Sequence, residues 1–181
     1  LRMRDNLLLH EVAAHAAAAL RASRGCSPKD LAVLAWAFAA LAAVDVALLR
    51  AIAAVAARVG LHSFALRDLS LLAWAVAALQ MKELRLFPSL APAILAKLRS
   101  FSPHEQSIDS LLSFAEDATG AVWALRFAGV SCPGLPEAAR SALVRLGRVV
   151  DHAAATQASQ GCHPLAVPPA VLWAELGEPR A

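Results

Sequence analysis

Residues 30–41 read DLAVLAWAFAAL, and residues 68–79 read DLSLLAWAVAAL. Nine of the twelve positions are identical at one constant offset of 38. Self-similarity at a period of roughly 20–50 residues marks a stacked array, in which each unit buries the apolar faces of its neighbours. Leu31, Leu34, Phe38 and Leu41 form one stripe at helical spacing, and Val33, Trp36, Ala37, Ala40 and Val44 form another. A helix with almost no polar face must be covered on several sides, and its alanines permit close approach. Trp36 and Trp74 are therefore expected in the core, each indole N–H on a buried acceptor, rather than exposed as platforms for base stacking.

Each dodecamer is followed by a second apolar segment, DVALLRAIAAVAARV at 45–59 and ELRLFPSLAPAILAKL at 83–98. At the same offset Leu48 matches Leu86, Leu49 matches Phe87, Ile52 matches Leu90 and Ala53 matches Ala91. The unit is thus a pair of helices, A and B. NLLLHEVAAHAAAAL at 6–20 matches a B helix at an offset of 40. SPKD at 27–30 and SPHE at 102–105 place Ser at an N-cap, Pro at the first helical position and an acid where it meets orphan amides. ALRD at 65–68 keeps only the acid. Caps are therefore predicted at 27, 65 and 102.

Inside the third unit two registers compete. Counting from 102 sets Leu111 opposite Trp36, whereas matching SLLSFA (110–115) to SLLAWA (70–75) sets Phe114 there. Downstream, AVWALRFAGV (121–130) is a further apolar piece, CPGLP (132–136) a turn, 136–155 a helix, and 169–177 a short helix beyond a Pro/Gly loop. The expected architecture is all-α: a right-handed α-solenoid with A helices lining one surface. It comprises a partial repeat at 1–26, repeats at 27–64 and 65–101, a degenerate repeat at 102–151, and a tail at 152–181.

The chain has 181 residues, is 59% hydrophobic and has a mean hydropathy of +0.54. A spanning helix needs about 18–20 uninterrupted apolar residues. The longest clean run, 31–44, stops at Asp45, so no membrane insertion is expected. Cys26, Cys132 and Cys162 are odd in number and far apart, which predicts free thiols in a reducing intracellular compartment. Position 1 is not methionine, which predicts a fragment whose leader could lie outside it. His10 and His15 are five apart, not the i, i+4 of a helical metal site, and no Gly-rich phosphate loop, GxSxG or HExxH occurs. No enzyme activity, metal or cofactor is expected. Asp109, Glu116 and Asp117 offer paired acids, but they read first as a solvated surface.

The cap SPKD or SPHE followed by LAxLAWAxAxL resembles the octotricopeptide and heptatricopeptide group of organellar helical-repeat proteins, related in style to the FAST-kinase-like proteins that often end in a RAP domain. The resemblance covers 6–114, most clearly 27–98. It implies RNA binding in mitochondria or plastids, in transcript processing, stability, translation or ribosome assembly. A repeat scaffold that binds protein within a larger assembly is the alternative.

Residues 1–100 carry twelve Lys/Arg against six Asp/Glu, and residues 101–181 carry five against eight. The basic half is the half with the clear repeat. The second position of each predicted A helix is Lys29, Arg67 and His104, followed by Asp30, Asp68 and Glu105. A cation in the first turn gains nothing from the helix dipole, so these three are candidates for contact with a single RNA strand. The acids suit capping. A second basic set follows the B helices: Arg21 and Arg24, Arg58, Lys97 and Arg99, then Arg145 and Arg148. Phosphate contact and favourable placement at helix C-termini both explain this set.

Overall fold

Ser27 opens the first twin helix as a cap. Its Oγ accepts from the Asp30 N–H at 3.1 Å and donates to the Asp30 carboxylate at 2.7 Å. The serine thereby engages an amide that the first helical turn leaves open and holds the acid beside it. The computed structural model describes residues 2–22, 26–81, 86–103 and 106–159. These residues form an all-α fold of seven α-helices: α1 (Arg2–Ala22), α2 (Pro28–Ala40), α3 (Val46–Val59), α4 (Leu66–Ala78), α5 (Leu86–Ser100), α6 (Ile108–Phe127) and α7 (Leu135–Ser159). A 3-10 turn, Leu61–Ser63, follows α3. No helix among the described residues is long and apolar enough to cross a membrane.

Two rows organise the packing. α2 packs on α4 and α4 on α6, while α1 packs on α3 and α5 on α7. The 3-10 turn touches both α3 and α5, with fully buried Phe64 directly after it. α4 lies in the middle of its row, so its core reaches around most of the helix: Leu66, Leu69, Leu72, Ala73, Ala75, Val76 and Ala77 are all buried. α2, its twin, buries only Leu31, Ala32, Ala35, Phe38 and Ala39. One sequence thus has two burial patterns, set by how many neighbours its helix has. Asp45 fastens the other row. One carboxylate oxygen accepts from Leu48 N–H at 2.8 Å to cap α3, and the other meets His10 Nδ1 of α1 at 3.2 Å.

The clearest repeat signature is at the helix ends rather than at their starts. Ala42, Gln80 and Gly129 all have positive φ, at 51°, 55° and 75°. At each, the backbone closes a Schellman motif. Ala43 N–H donates to Phe38 O, Met81 N–H to Val76 O and Val130 N–H to Leu125 O, with the inner bond of each motif also present. The first two motifs are 38 residues apart and the last two 49, so the third unit holds eleven added residues. Left-handed backbone is costly for residues with a Cβ and free for glycine. Ala42→Gly and Gln80→Gly are each expected to raise stability by roughly 1 kcal/mol in urea unfolding, and Gly129→Ala to lower it by a similar amount.

This register corrects the reading of the third unit. An offset of 49 sets Asp117–Ala128 opposite the two dodecamers, with Trp123 in the place of Trp36 and Trp74. Neither Leu111 nor Phe114 holds that place. The cap of α6 is Ser107, whose Oγ accepts from Ser110 N–H at 3.2 Å, not Ser102. Ser102 comes too soon after α5, because the chain must first cross from one row to the other. Phe101 stacks on Phe114 at 3.5 Å, Pro103 is buried, and Gln106 Nε2 donates to Ser102 O at 2.9 Å, all within that crossing. The helix expected at 136–155 runs from Leu135 to Ser159, through the boundary drawn at 151. The short helix expected at 169–177 lies outside the described residues.

Candidate nucleic-acid interface

Short connections fix where the candidate cations lie. The chain passes from the end of α1 to the start of α2, from α3 to α4, and from α5 to α6. The C-termini of α1, α3 and α5 and the N-termini of α2, α4 and α6 therefore share one edge of the two rows. Arg21, Arg58, Lys97 and Arg99 occupy the last turns of the first set. Lys29 and Arg67 occupy the first turns of the second. The two basic sets of the sequence thus meet on this edge. Lys97 is half-buried, and the other five are exposed. Arg24 and His104 lie outside the described residues.

Two candidates differ from the rest. Arg145 lies inside α7, not at a helix end, and donates to Leu98 O at 3.2 Å and Phe101 O at 3.3 Å. It satisfies carbonyls that the end of α5 leaves open. Arg148 is also interior to α7, so the helix-dipole account does not apply to it. Trp36 is 43% exposed and Trp74 half-buried, so the expected core placement fails for the first and holds only partly for the second. α2 lacks the second row neighbour that covers α4.

The basic edge ends at a groove. Arg67, Phe101, Gln106, Asp109, Phe114 and Asp117 are among the residues lining a space of ≈ 430 Å³ between the start of α4 and α6. Residues 108–116 of α6 precede the level at which Asp117 faces Arg67, so the longer helix overhangs the edge. In the corrected register the column of Lys29 and Arg67 continues with Glu116, not with His104. The cationic ladder therefore changes sign at its third rung.

Asp117 is the third copy of the acid at Asp30 and Asp68, and it has lost their surroundings. Asp30 and Asp68 lie in first turns, and the Asp68 carboxylate accepts from Ala65 N–H at 3.4 Å. Asp117 lies well inside α6, where backbone amides are already engaged. Burial pushes its carboxyl from 3.8 up to about 6, with Glu116 and Asp68 adding to the rise and Arg67 opposing it. Asp117, read from the sequence as a solvated surface acid, is half-buried.

The folded state thus holds this proton more tightly than the unfolded chain does. Below about pH 4 both states are protonated and the penalty is absent. Stability falls as pH rises from about 4 to about 6, and the full cost stands above that. For a half-exposed group, solvent screening brings this cost to about 1 kcal/mol. Asp117→Asn is expected to gain that amount at pH 7 and nothing at pH 4, as measured by urea unfolding at both values.

Sequence reasoning named Asp117 but missed its place opposite Asp30 and Asp68, because the serine-proline cap at 102 pointed to the wrong helix start. Trp123 and Gly129 were the signals that could have found it. No protein-family model, curated protein or solved structure matches this chain.

Proposed function

We propose that the chain is a right-handed α-solenoid of two-helix repeats that binds single-stranded RNA along its basic edge. The observation that carries this reading is the shared edge. Arg21, Lys29, Arg58, Arg67, Lys97 and Arg99 come from the ends of five helices, and the hairpin connections bring all of them to one side. A strand running across the repeats meets one or more cations per unit, as phosphate contact requires. The overhang of α6 and the acids Asp109, Glu116 and Asp117 close the path at the third unit.

The test is binding of a labelled single-stranded RNA under increasing salt. Saturable binding at low salt that weakens as salt rises supports the reading. Absence of binding at low salt overturns it. The octotricopeptide resemblance adds a mitochondrial or plastid setting and a role in transcript processing, stability, translation or ribosome assembly. A fluorescent fusion of the full-length protein found outside both organelles removes that part. A second reading, a protein-binding scaffold, is favoured by a different observation: an apolar groove between α6 and α7, with Trp123 52% and Phe127 55% exposed beside it.

A further inference from the structure

An apolar groove of ≈ 960 Å³ lies between α6 and α7, walled by Val122, Trp123, Phe127, Leu143 and Val144. Trp123, Phe127 and Val144 are each about half exposed, a contiguous patch of the kind that a partner segment covers. Residues 128–134 join the two helices, which pack on each other. Phe127 and Pro136 therefore mark one end of the groove, and Thr119 and Gly147 the other. Two cations line it toward the Phe127 end, Arg126 and Arg140. Arg140 also meets Glu137 in an exposed pair at 2.9 Å. In the offsets of 38 and 49, Arg126 stands where α4 has Ala77 and α2 has Ala39. The open Trp36 face of α2, which shares the Trp123 column, lacks this cation. Gly147 is interior to α7, where glycine is unfavourable, yet a Cβ there would meet nothing. The seven helices make no use of its smallness, whereas a segment crossing that end of the groove does.

One stretch of the chain fits this groove by length, by pattern and by charge. α7 ends at Ser159, and nine residues, 160–168, lead from it to PAVLWAELG at 169–177. Nine extended residues reach about 30 Å. The way back along α7 from Ser159 to Gly147 is about 18 Å, so the stretch can enter the groove at that end. As a helix it is about 14 Å long, and the α7 wall from Ala139 to Gly147 is about 12 Å. Pro169, Leu172, Trp173 and Leu176 fall on one helical face at i, i+3, i+4 and i+7 spacing. With position 169 beside Gly147, position 176 comes level with Arg140, and Arg126 stands across the groove at the same level. Glu175 and Glu178 then lie within one turn of both arginines.

We infer that residues 169–178 dock as a helix in the α6–α7 groove of their own chain, antiparallel to α7. Leu172 and Trp173 fill the apolar part of the groove, and Glu175 and Glu178 lie at its Arg126–Arg140 end. A helix this short is marginal in water, so its order comes from the docking. The linker keeps it beside its seat, and the contact needs no second molecule. The segment covers the apolar surface that a protein partner would use, so such a partner binds only by displacing it. This docking does not depend on RNA binding.

Hydrogen exchange of the 181-residue chain, read by mass spectrometry, tests it, on variants whose helical content is first checked by circular dichroism. Amides of 171–177 are expected to exchange at least about tenfold more slowly than in an unstructured chain. Val144→Glu, on the exposed wall of α7, and Trp173→Ser, outside the seven helices, are each expected to abolish the slowing. Trp173→Ser carries the test if Val144→Glu does not fold. Glu175→Arg is expected to reduce the slowing by about 3-fold, and Arg126→Glu in the same chain to restore it. The slowing is expected to be equal at about 1 and about 50 μM, since a contact within one chain is indifferent to concentration. Unslowed exchange in the unaltered chain overturns the inference. So does slowing that survives Trp173→Ser, or slowing that Glu175→Arg leaves unchanged. Slowing lost on dilution also overturns it, by assigning the segment to the groove of a neighbouring copy.

Discussion

Leu72→Ala is expected to lose about 3–4 kcal/mol in urea unfolding, and Leu34→Ala about 1–2 kcal/mol. The two leucines occupy the same position of the same dodecamer, 38 residues apart. Leu72 is fully buried in α4, which has row neighbours on both sides, whereas Leu34 is half-buried in α2, which has one. Removing Leu72 leaves a cavity that α2, α6 and α5 cannot all relax to fill. Removing Leu34 leaves a gap at the rim that water reaches. The proposed array of repeats predicts this inequality, because in such an array the stability of each unit depends on its neighbours. Equal losses at the two sites would show that the ends of the row are covered as well as its centre.

How much of this was legible in the sequence follows from what each signal depends on. The dodecamer and its 38-residue twin are local and strong, so α2 and α4 were readable as helices, whereas Val33, Trp36, Leu41 and Val44 of the stripes read as covered are exposed. Asp45 as the start of a B segment was readable too, since a capping acid acts within one turn. The third unit was not, because its start signal and its register part company. Ser102 with Pro103 has the chemistry of a cap, but the chain there is still crossing between rows. The register is instead held at the far end of the helix, by the left-handed residue at 42, 80 and 129, and only the last of these is a glycine. The cations were readable as types and as helix-end positions. That both sets share one edge needed the topology of the connections. The raised pKa of Asp117 was out of reach, because it depends on eleven added residues carrying a capping acid into a helix interior.

Raising salt from about 50 to 200 mM is expected to weaken binding of single-stranded RNA by roughly 300-fold. About 0.7 counterions are released per phosphate on a single strand, so six contacts give a slope near −4 on logarithmic axes. The six are Arg21, Lys29, Arg58, Arg67, Lys97 and Arg99, at helix ends along one edge. Reversing one of them, as in Lys29→Glu, is expected to lower the slope by about 1 and to weaken binding alike for every RNA sequence, since phosphate contacts carry no sequence information. Arg67 is a separate case, because it shares its field with Asp117. As pH falls through about 6, Asp117 takes up its proton and Arg67 is left to the phosphate, so binding tightens by about 3-fold. Asp117→Asn is expected to show the tighter binding at pH 7.5 and to abolish the pH dependence. A shallow slope insensitive to Lys29→Glu would place the RNA elsewhere on the molecule, and a wild-type pH profile unchanged by Asp117→Asn would remove Arg67 from its path.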